Sequence, residues 1–417
     1  MKTYYADLHI HSKYSRATSP ECDLISLHHW AQLKGISVCG TGDCTHPDWS
    51  KTLKESLTLE ENSGLYTLKQ NCLTSLPNHL PESCHAPVKF LITGEISSIY
   101  KRDNQTRKVH SLILLPSLEA AAKLNTRLAT IGNIFSDGRP ILRVDPRNLL
   151  EMLLEIDPRC ALIPAHIWTP WFSMLGSKSG FDSIEECFGD LTPHIFAVET
   201  GLSSDAPMNH RIRFLQKITL VSNSDIHSPA RLGRNATRFF GNPSYDNIMT
   251  AFKERAPHLF GGTVDLFPEE GKYFHDGHRS CGISLAPEES MACGSLCPAC
   301  GQKLTIGVLH RVIELEKKHP PLATAKCRPI PPYHHIIPLD ELLSHQIGNA
   351  ATSKKVKTAY LQTLEAAGPE LPLLIDATSK QLNTLNETGA LIQQVRLGKV
   401  HKTPGFDGVY GRIRPHG

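Results

Sequence analysis

The sequence has no long hydrophobic run, no low-complexity tract and no large excess of one charge. The longest apolar runs, such as Leu112 to Leu115, fall far short of the roughly 20 residues that a membrane-spanning helix needs. Met1 leads directly into a polar segment, so we expect no signal peptide. These absences predict a soluble, cytoplasmic protein that has no membrane partner.

The 12 cysteines do not indicate disulfides, because nothing in the sequence suggests export. We expect reduced thiols, some of which are metal ligands. The net charge of +3 is small, but residues 301–417 hold 15 Lys and Arg against 9 Asp and Glu. A basic tail on a slightly acidic body suits an anionic polymer bound at one end. Ordinary solvated surface explains this charge distribution equally well.

Residues 1–270 repeat one pattern, in which a short apolar run is followed by metal-binding residue types and then by a helical or loop segment. Continuous apolar runs separated by helices are typical of buried parallel strands. The runs are Tyr5 to Ile10, Ile36 to Gly40, Phe90 to Thr93, Leu112 to Leu115, Ala161 to Ile163, Ile195 to Val198 and Ile218 to Val221.

Six of the seven runs lead into His, Asp or Glu at or just past their C-terminal ends, and a barrel would bring these residues together at one mouth. The fourth run is different because His110 precedes it, which suggests a strand that runs the other way. Between the first two runs, the sequence predicts a helix capped by Ser19 and ended by Gly35. Residues 50–87 read as an insertion or surface loop.

The pattern changes after Pro268, and three domains are expected. Residues 1–270 form a metal-dependent barrel, 271–330 a zinc-binding module with a Pro-rich linker, and 331–417 a helical, basic DNA-binding domain. In the last domain, lysines and arginines such as Lys354, Lys355 and Arg396 could contact phosphates.

Two pairs of metal-binding residues occur at alternating positions on strands, His9 with His11 and Asp225 with His227. Side chains two residues apart on a strand share a face, so each pair can bind one ion. With the other strand-end residues they make a set too large for one ion. We therefore expect two or three divalent ions, zinc, manganese or magnesium, which would bind phosphoryl oxygens and supply a hydroxide. The candidate ligands are His9, His11, Asp43, His46, Glu95, His110, His166, Asp225 and His227.

A separate structural zinc is predicted by two pairs of ligands with matched spacing. Either Cys293 or His275 could replace the histidine of the set. The predicted ligands are His278, Cys281, Cys297 and Cys300.

Aromatic residues follow the candidate ligand His166 directly. Trp168, Trp171 and Phe172 could stack on an extruded base, although simple loop packing explains them equally well. Lys178 lies in a loop of small residues that could approach a phosphate.

The motifs resemble those of the polymerase-and-histidinol-phosphatase (PHP) superfamily. The matching segments are Asp7 to Ser12, Gly94-Glu95, Pro164 to His166 and Ser224 to His227. This resemblance implies an α/β fold, a distorted (β/α)7 barrel with a trinuclear phosphoesterase centre. The chain departs from the superfamily at Ser15 to Ala17, where a further ligand is usual. Asp43 therefore either replaces that ligand or only orients His46.

Further segments are similar to the endonuclease Q family, over nearly the whole chain. They are Tyr14 to Ser19, Gly40 to Asp43, His166 to Phe172, Glu199 to Asp205, Arg231 to Arg234 and Pro404 to Gly411. Asn235 stands where a Glu is expected, which puts a supporting role at that position in doubt. The resemblance adds Arg16 and Arg234 to the candidate DNA contacts and gives catalytic roles to Asp225, His227 and Glu199.

The resemblance implies a DNA repair endonuclease of the nucleoid. It would hydrolyse the phosphodiester 5′ to a deaminated or damaged base, namely uracil, hypoxanthine, xanthine or an abasic site, in double-stranded DNA. A replication clamp or another repair protein is a further possible partner that the sequence does not identify. A small-molecule phosphatase of the histidinol phosphatase type is the alternative, but it leaves the zinc module and the basic tail without a role. A non-catalytic DNA-binding scaffold is the other alternative, against which the near-complete ligand set argues.

Overall fold

A computed structural model describes residues 2–75, 79–321 and 329–416. The predicted linker partly falls outside this range, at residues 322–328. The described strands are β1 Thr3–Asp7, β2 Ile36–Gly40, β3 Leu57–Glu60, β4 Leu65–Leu68, β5 Lys89–Arg102, β6 Gln105–Leu115, β7 Ile141–Leu142, β8 Ala161–Pro164, β9 Ala197–Glu199, β10 Thr219–Val221, β11 Ala236–Phe240, β12 Phe260–Leu266, β13 Asp276–His278, β14 Ile283–Leu285, β15 Tyr333–Ile336, β16 Val400–Thr403 and β17 Arg412–Pro415.

The described helices surround these strands or follow them in the C-terminal part of the chain. They are α1 Leu24–Lys34, α2 Pro47–Ser56, α3 Gln70–Leu73, α4 Leu118–Ile131, α5 Pro146–Ile156, α6 Ile184–Phe188, α7 Ala206–His210, α8 Tyr245–Glu254, α9 Pro287–Ala292, α10 Val308–Lys318, α11 Leu339–Ile347, α12 Lys354–Ala367, α13 Ser379–Asn383 and α14 Asn386–Arg396. None of the described helices is long and apolar enough to cross a membrane.

A mixed sheet forms the centre of the molecule, which confirms the predicted α/β class. Its middle strands β1, β2 and β5 are parallel, with Asp7 opposite Cys39 and Cys39 opposite Phe90. Around them β11, β4 and β6 pair antiparallel, so the sheet is not parallel throughout. The reversed direction of β6 agrees with the position of His110 before its apolar run. Strands β5 and β6 form one long hairpin, and β6 continues the sheet to β8.

Alternate residues of the central strands pack together with the inner side of α8 in one buried cluster. Its members include Ala6, Leu8, Val38, Leu91, Leu112, Leu114, Ala161, Ile163, Ala197, Val221 and Phe252. The opposite faces of these strands pack against the surrounding helices in a second, larger cluster. The strand ends are thus held between two apolar layers, which fixes the polar residues that follow them.

Several local predictions need correction. Helix α1 begins at Leu24 rather than near Ser19, because the Asp23 side chain accepts the N–H of Ser26 and caps it. Gly35 ends the helix as expected, with φ 77°. Residues 50–87 are not an irregular loop, since they contain most of α2, the hairpin β3–β4 and α3.

The C-terminal part is helical from Leu339, as predicted, but it ends in the hairpin β16–β17. A buried ion pair joins it to α1: Lys34 Nζ lies 2.5 Å from Glu370 Oε2. Glu370 also accepts hydrogen bonds from the Tyr360 hydroxyl and the Leu339 N–H. Because every oxygen of this buried carboxylate has a partner, the contact fixes α12 against α1.

Candidate metal centre and adjoining cavity

Glu95 lies at the centre of the polar residues gathered by the strands. It is fully buried on β5, and its two oxygens face different histidines. Oε2 lies 3.5 Å from His9 Nε2 and 3.4 Å from His11 Nε2. Oε1 lies 2.7 Å from His110 Nδ1 and 3.1 Å from His166 Nε2. One carboxylate therefore joins two sets of donors.

The first donor set is His9, His11, Glu95 and Asp225, and the second is Glu95, His110 and His166. Within each set the donor atoms lie within 4.8 Å of one another, close enough to bind one ion. Asp225 Oδ1 lies 3.0 Å from His11 Nε2 and 3.7 Å from His9 Nε2. These residues could hold two metal ions that share Glu95.

The two histidines that follow β1, His9 and His11, are oriented as metal ligands are. His9 Nδ1 lies 3.0 Å from both oxygens of Glu199, while the buried Nε2 has no hydrogen-bond partner and faces the first donor set. In the same way, His11 Nδ1 lies 3.0 Å from Asp43 Oδ1. A carboxylate on one ring nitrogen fixes the tautomer that leaves the other nitrogen free for a metal. The donor sets thus fit divalent cations.

The charges of the site reinforce this conclusion. Burial alone lowers the pKa of His9, but Glu199, Glu95 and Asp225 outweigh it and raise that pKa well above its usual value. Burial lowers the pKa of His110 to about 4, so this ring is neutral and has a free lone pair. The carboxylates therefore create a field that favours cations, beside a neutral imidazole that can bind one.

The backbone at two donors adopts a conformation that is rare outside glycine. His166 has φ 30° and Asp225 has φ 49°, both left-handed. Beside His166, Gly201 has φ 67°, and a Cβ at that position would lie 2.6 Å from the His166 Cβ. Strained backbone of this kind is concentrated at functional sites, where the surrounding fold holds it.

Asp43 lies in the layer behind the first donor set. Its Oδ1 contacts His11, and its Oδ2 accepts the N–H and the hydroxyl of Ser12, both at 2.7 Å, and the Ser15 hydroxyl at 2.9 Å. Of the two roles left open by the sequence, this geometry favours an orienting one. The histidine that Asp43 orients is His11, however, and not His46.

The structure does not bring His46 into either donor set. Its Nε2 lies 3.0 Å from the Phe135 carbonyl, and its ring stacks on Tyr14 at 4.4 Å. His227 also lies outside both sets, with its ring 4.7 Å from the His11 ring and its Nδ1 3.1 Å from the Asp225 carbonyl.

Beside the donor sets lies a cavity of about 480 Å³. Four candidate ligands line it, namely His110, His166, Asp225 and His227. Aromatic residues from three separate parts of the chain also line it, and these four, which we call its aromatic end, are Trp171, Phe172, Tyr273 and Tyr410. Trp171 and Tyr273 pack edge to face at 5.7 Å, and the Phe172 ring lies 4.8 Å from that of His110. One cavity is thus lined both by metal donors and by aromatic rings.

Comparisons with solved structures show the family of the chain. The lesion-specific endonuclease PfuEndoQ from Pyrococcus furiosus superposes with a TM-score of 0.83 at 30% identity, covering 99% of this chain and 96% of that one. The chain belongs to the endonuclease Q family. A second endonuclease Q structure, a complex with a 27-mer duplex substrate that carries an abasic lesion at the active site, gives the same TM-score and identity over 100% and 97% of the two chains.

Other relatives of this endonuclease Q family member carry no described activity. The uncharacterized protein YqxK of Bacillus subtilis is 28% identical over the full length of both chains. The uncharacterized protein MJ0043 of Methanocaldococcus jannaschii is 33% identical over 258 residues, and the chain spans only 31% of that protein. A family model described as the MJ0043 C-terminal domain matches residues 338–399. The two solved endonuclease Q structures confirm the predicted family.

The predicted DNA contacts lie in different environments in this endonuclease Q family member. Trp168 is 1% exposed and donates its indole N–H to Asn209, so the prediction that it stacks on a base is wrong. Trp171 is 37% exposed at the cavity, together with Phe172. The buried position of the first tryptophan follows from its place inside the turn that ends β8, which the sequence spacing did not show.

The predicted basic contacts also differ from one another. The Arg16 side chain is 71% exposed and lies 3.5 Å from Asp137. Arg234 is bonded to Glu341, which ties it to α11. Lys178 is exposed beside a polar cavity of about 260 Å³. Arg16 and Arg234 therefore each have an ionic partner, but Arg16 and Lys178 are far more exposed to a ligand than Arg234 is.

The predicted structural metal ligands also come together. Donor atoms of His278, Cys281, Cys297 and Cys300 lie within 4.8 Å of one another. Each Cys-containing turn ends at a glycine with left-handed backbone, Gly282 at φ 66° and Gly301 at φ 72°.

The cysteines of this group are suited to a metal. Burial opposes ionisation of Cys297, but the backbone N–H groups of Ala299 and Cys300 lower its pKa to about 7, which favours the metal-binding thiolate. Cys293 points instead at the carbonyl oxygens of Ser290 and Leu296. In the part of the chain that the structure describes, neither Cys293 nor His275 joins the group.

Sequence reasoning missed several residues of the site, including Tyr410 and three that lie outside every motif. Arg139 Nη1 lies 3.2 Å from Glu95 Oε2, and Lys272 and Tyr273 reach the cavity from the segment after β12. No spacing or motif marks them, because the folding of distant segments brings them to the cavity.

Proposed function

We propose that this protein is a metal-dependent endonuclease that cleaves duplex DNA 5′ to a deaminated or damaged base. The observation that carries the proposal is one cavity that is lined both by metal donors and by aromatic rings. A nuclease that recognises a single base needs both parts within one nucleotide of each other. Membership of the endonuclease Q family supports the same substrate class.

The residues of the centre divide into ligands and supports. His9, His11 and Asp225 would hold one ion, His110 and His166 another, and Glu95 would bridge them. When bound, such ions bind the phosphoryl oxygens and lower the pKa of a water so that hydroxide is available at neutral pH.

The remaining residues keep these side chains in place and add charge. Glu199 and Asp43 hold the outer nitrogens of His9 and His11, which keeps the inner nitrogens aimed at the centre. Arg139 places a guanidinium at the cavity wall, where it can stabilise charge on the scissile phosphate.

The aromatic end would receive the damaged nucleotide. A base inside a duplex is out of reach of the centre, so it must be extruded into a pocket. Trp171, Phe172, Tyr273 and Tyr410 offer ring faces to a base, and Lys272 lies over two of them, 5.5 Å from the Tyr273 ring and 5.9 Å from that of Tyr410. Uracil, hypoxanthine, xanthine and an abasic site are the proposed substrates, because a pair containing a lesion opens at lower cost.

The architecture proposed with this function is a distorted (β/α)7 barrel of the PHP superfamily, over residues 1–270. Its closure is supported by contacts across the ends of the main sheet. The Ile167 N–H donates to the Glu199 carbonyl at 3.1 Å, and the Ser222 N–H donates to the Thr237 hydroxyl at 3.0 Å. These bonds connect the β9–β10 pair to β8 on one side and to β11 on the other.

Two further modules complete the proposal. Residues 271–330 would fold around a structural zinc held by His278, Cys281, Cys297 and Cys300, since a module this small buries little core of its own. Residues 331–417 would add the helical, basic surface that contacts duplex DNA.

A cleavage assay tests the proposal against its main rival. End-labelled duplexes with and without one uracil are incubated with the protein and Mn²⁺, Zn²⁺ or Mg²⁺, before and after chelation. We expect a metal-dependent nick next to the uracil and none in the matched duplex. Equal nicking of both, or no nicking with rapid phosphate release from histidinol phosphate, would show that the proposed substrate is wrong.

A further inference from the structure

We propose that the β5–β6 hairpin is a DNA-backbone arm that grips the duplex beyond the metal centre. The inference rests on the proposed function, because it assigns a surface to the same substrate. The hairpin pairs continuously from Ile92 opposite Leu115 to Arg102 opposite Gln105. It turns at Asp103 and Asn104, whose φ angles of 50° and 57° are those of a tight hairpin turn.

One face of this hairpin begins at the metal centre. Directly opposite residues of an antiparallel pair share a face, and so do residues two apart on one strand. Because Ser97 lies opposite His110, the side chains of Glu95 and His110 are on the same face, in agreement with their 2.7 Å contact. Toward the tip, the same face carries Lys108 on β6 and Lys101 on β5.

The two lysines lie at increasing distance from the centre. Lys108 is two residues from His110, and its Nζ lies 5.2 Å from the centre of the Phe172 ring, which lines the cavity. Lys101 is six residues from Glu95, a distance of about 20 Å at the usual rise of a strand. Each DNA strand carries one phosphate per about 3.4 Å of helix axis, so this span corresponds to about six nucleotides.

Lys108 is half-buried against the Phe172 ring, but among the described residues no carboxylate pairs with either lysine. In the part of the chain that the structure describes, Lys101 and Lys108 make no ion pair, and Lys101 is exposed. Arg107, on the other face, bonds the Gly180 carbonyl and packs 4.2 Å from the Phe181 ring, so it fastens the neighbouring loop to the hairpin. The hairpin is thus supported on one face and leaves its cationic face open.

A strip of unpaired cations that starts at a metal centre suits a polyanion better than a small phosphate ester. The scissile phosphate would lie at the donor sets, and Lys108 and Lys101 would contact phosphates up to about half a helical turn away. Contacts of this kind carry no sequence information, but they fix the register of the duplex relative to the centre.

The test measures how affinity for an undamaged duplex depends on salt, by fluorescence anisotropy on the full-length protein. Each lost phosphate contact lowers the slope of log K against log salt by about 0.9, so K101A/K108A is expected to lower it by about 1.8. The matched control is K51A/K123A, which removes the same charge from exposed positions on α2 and α4 and is expected to keep the wild-type slope. Thermal melting of both variants checks that the fold is intact.

The outcomes separate this inference from the proposed function. Suppose that the wild-type protein nicks damaged duplex but K101A/K108A keeps the wild-type slope of log K against log salt. The proposal that the hairpin is a DNA-backbone arm is then wrong, and the endonuclease proposal stands. An equal fall in slope in K51A/K123A also overturns the arm, because the effect is then general charge. If the wild-type protein neither nicks damaged duplex nor binds duplex with a salt-dependent affinity, the proposed function itself fails.

Discussion

Replacing Glu199 with Gln tests how the first donor set is held. Glu199 Oε2 accepts the His166 N–H at 2.8 Å, and Oε1 accepts the Asn223 amide at 2.8 Å. Both oxygens also lie 3.0 Å from His9 Nδ1. A glutamine has one acceptor oxygen and one NH₂ group. One of the two buried donors therefore loses its partner, at a cost of about 1–3 kcal/mol of stability.

The effect on metal binding follows from His9. Without a carboxylate on Nδ1, the ring loses both its fixed tautomer and part of its basicity. Changes of this kind typically lower metal affinity 10- to 100-fold, which is about 1.4–2.8 kcal/mol. We expect E199Q to need a metal concentration about 10 to 100 times higher for half-maximal nicking. It should recover most of its activity once the site is saturated with metal.

Isothermal titration of the metal-free protein with Mn²⁺ measures the affinity directly, beside the metal dependence of nicking. E185Q is the matched control, because Glu185 is exposed on α6 and the charge change is identical. Unchanged affinity in E199Q would refute the argument that Glu199 positions His9. If turnover were also abolished at full metal occupancy, Glu199 would act on the reacting atoms, as the sequence pattern predicts.

Four other changes have defined expectations. H9A should lose metal from the centre and nearly all nicking while melting close to wild type, which metal analysis and calorimetry would show. C297S should lose one zinc and weaken DNA binding while hydrolysis of a chromogenic phosphodiester persists, and unchanged zinc content would contradict the structural site. W171A should reduce cleavage of damaged duplex about 10- to 100-fold, since base stacking contributes about 1–3 kcal/mol, with little change in binding to undamaged duplex. Burial, followed by the charge of Glu341, raises the pKa of Glu270 to about 7. The carboxyl therefore ionises at lower pH in the unfolded chain than in the folded one, and the stability of the fold falls as pH rises from about 4.5 through 7. E270Q should melt at a higher temperature than wild type at pH 8, with a smaller difference at pH 5.

Much of the clustering of the donor residues could be predicted because its signal is local. His9 and His11 are two residues apart and their donor atoms fall in one set, and the paired spacing of Cys297 and Cys300 places two thiols in one turn. Glu95 could be predicted as a candidate ligand because it follows a buried apolar run. In each case a few consecutive residues contain the whole signal.

The predictions that were wrong concern residues whose positions depend on contacts with distant parts of the chain. Asp43 and His46 are three residues apart, yet one reaches His11 and the other the Phe135 carbonyl. Trp168 and Trp171 belong to one short loop, but only the second faces the cavity. Which neighbour becomes buried is decided by the packing of the turn, and that packing involves segments far away in the sequence.

The aromatic end of the cavity could not be predicted either, because its residues are even farther apart in the sequence. Tyr273 follows β12 and Tyr410 precedes β17, so two segments far apart in the sequence complete it. The Gly411 N–H donates to the Glu270 carbonyl at 2.9 Å and holds the C-terminal segment beside that cavity. No periodicity relates residues so far apart.

The central claim is that one cavity combines a metal centre with a pocket for a damaged base. It is tested most directly by single-turnover cleavage of matched duplexes that differ only in one base, with the nick mapped to the nucleotide. The account predicts metal-dependent cleavage at the bond on the 5′ side of uracil, hypoxanthine or an abasic site, and no cleavage of the undamaged duplex. Cleavage at the same rate in the undamaged duplex, or at positions unrelated to the lesion, would contradict it.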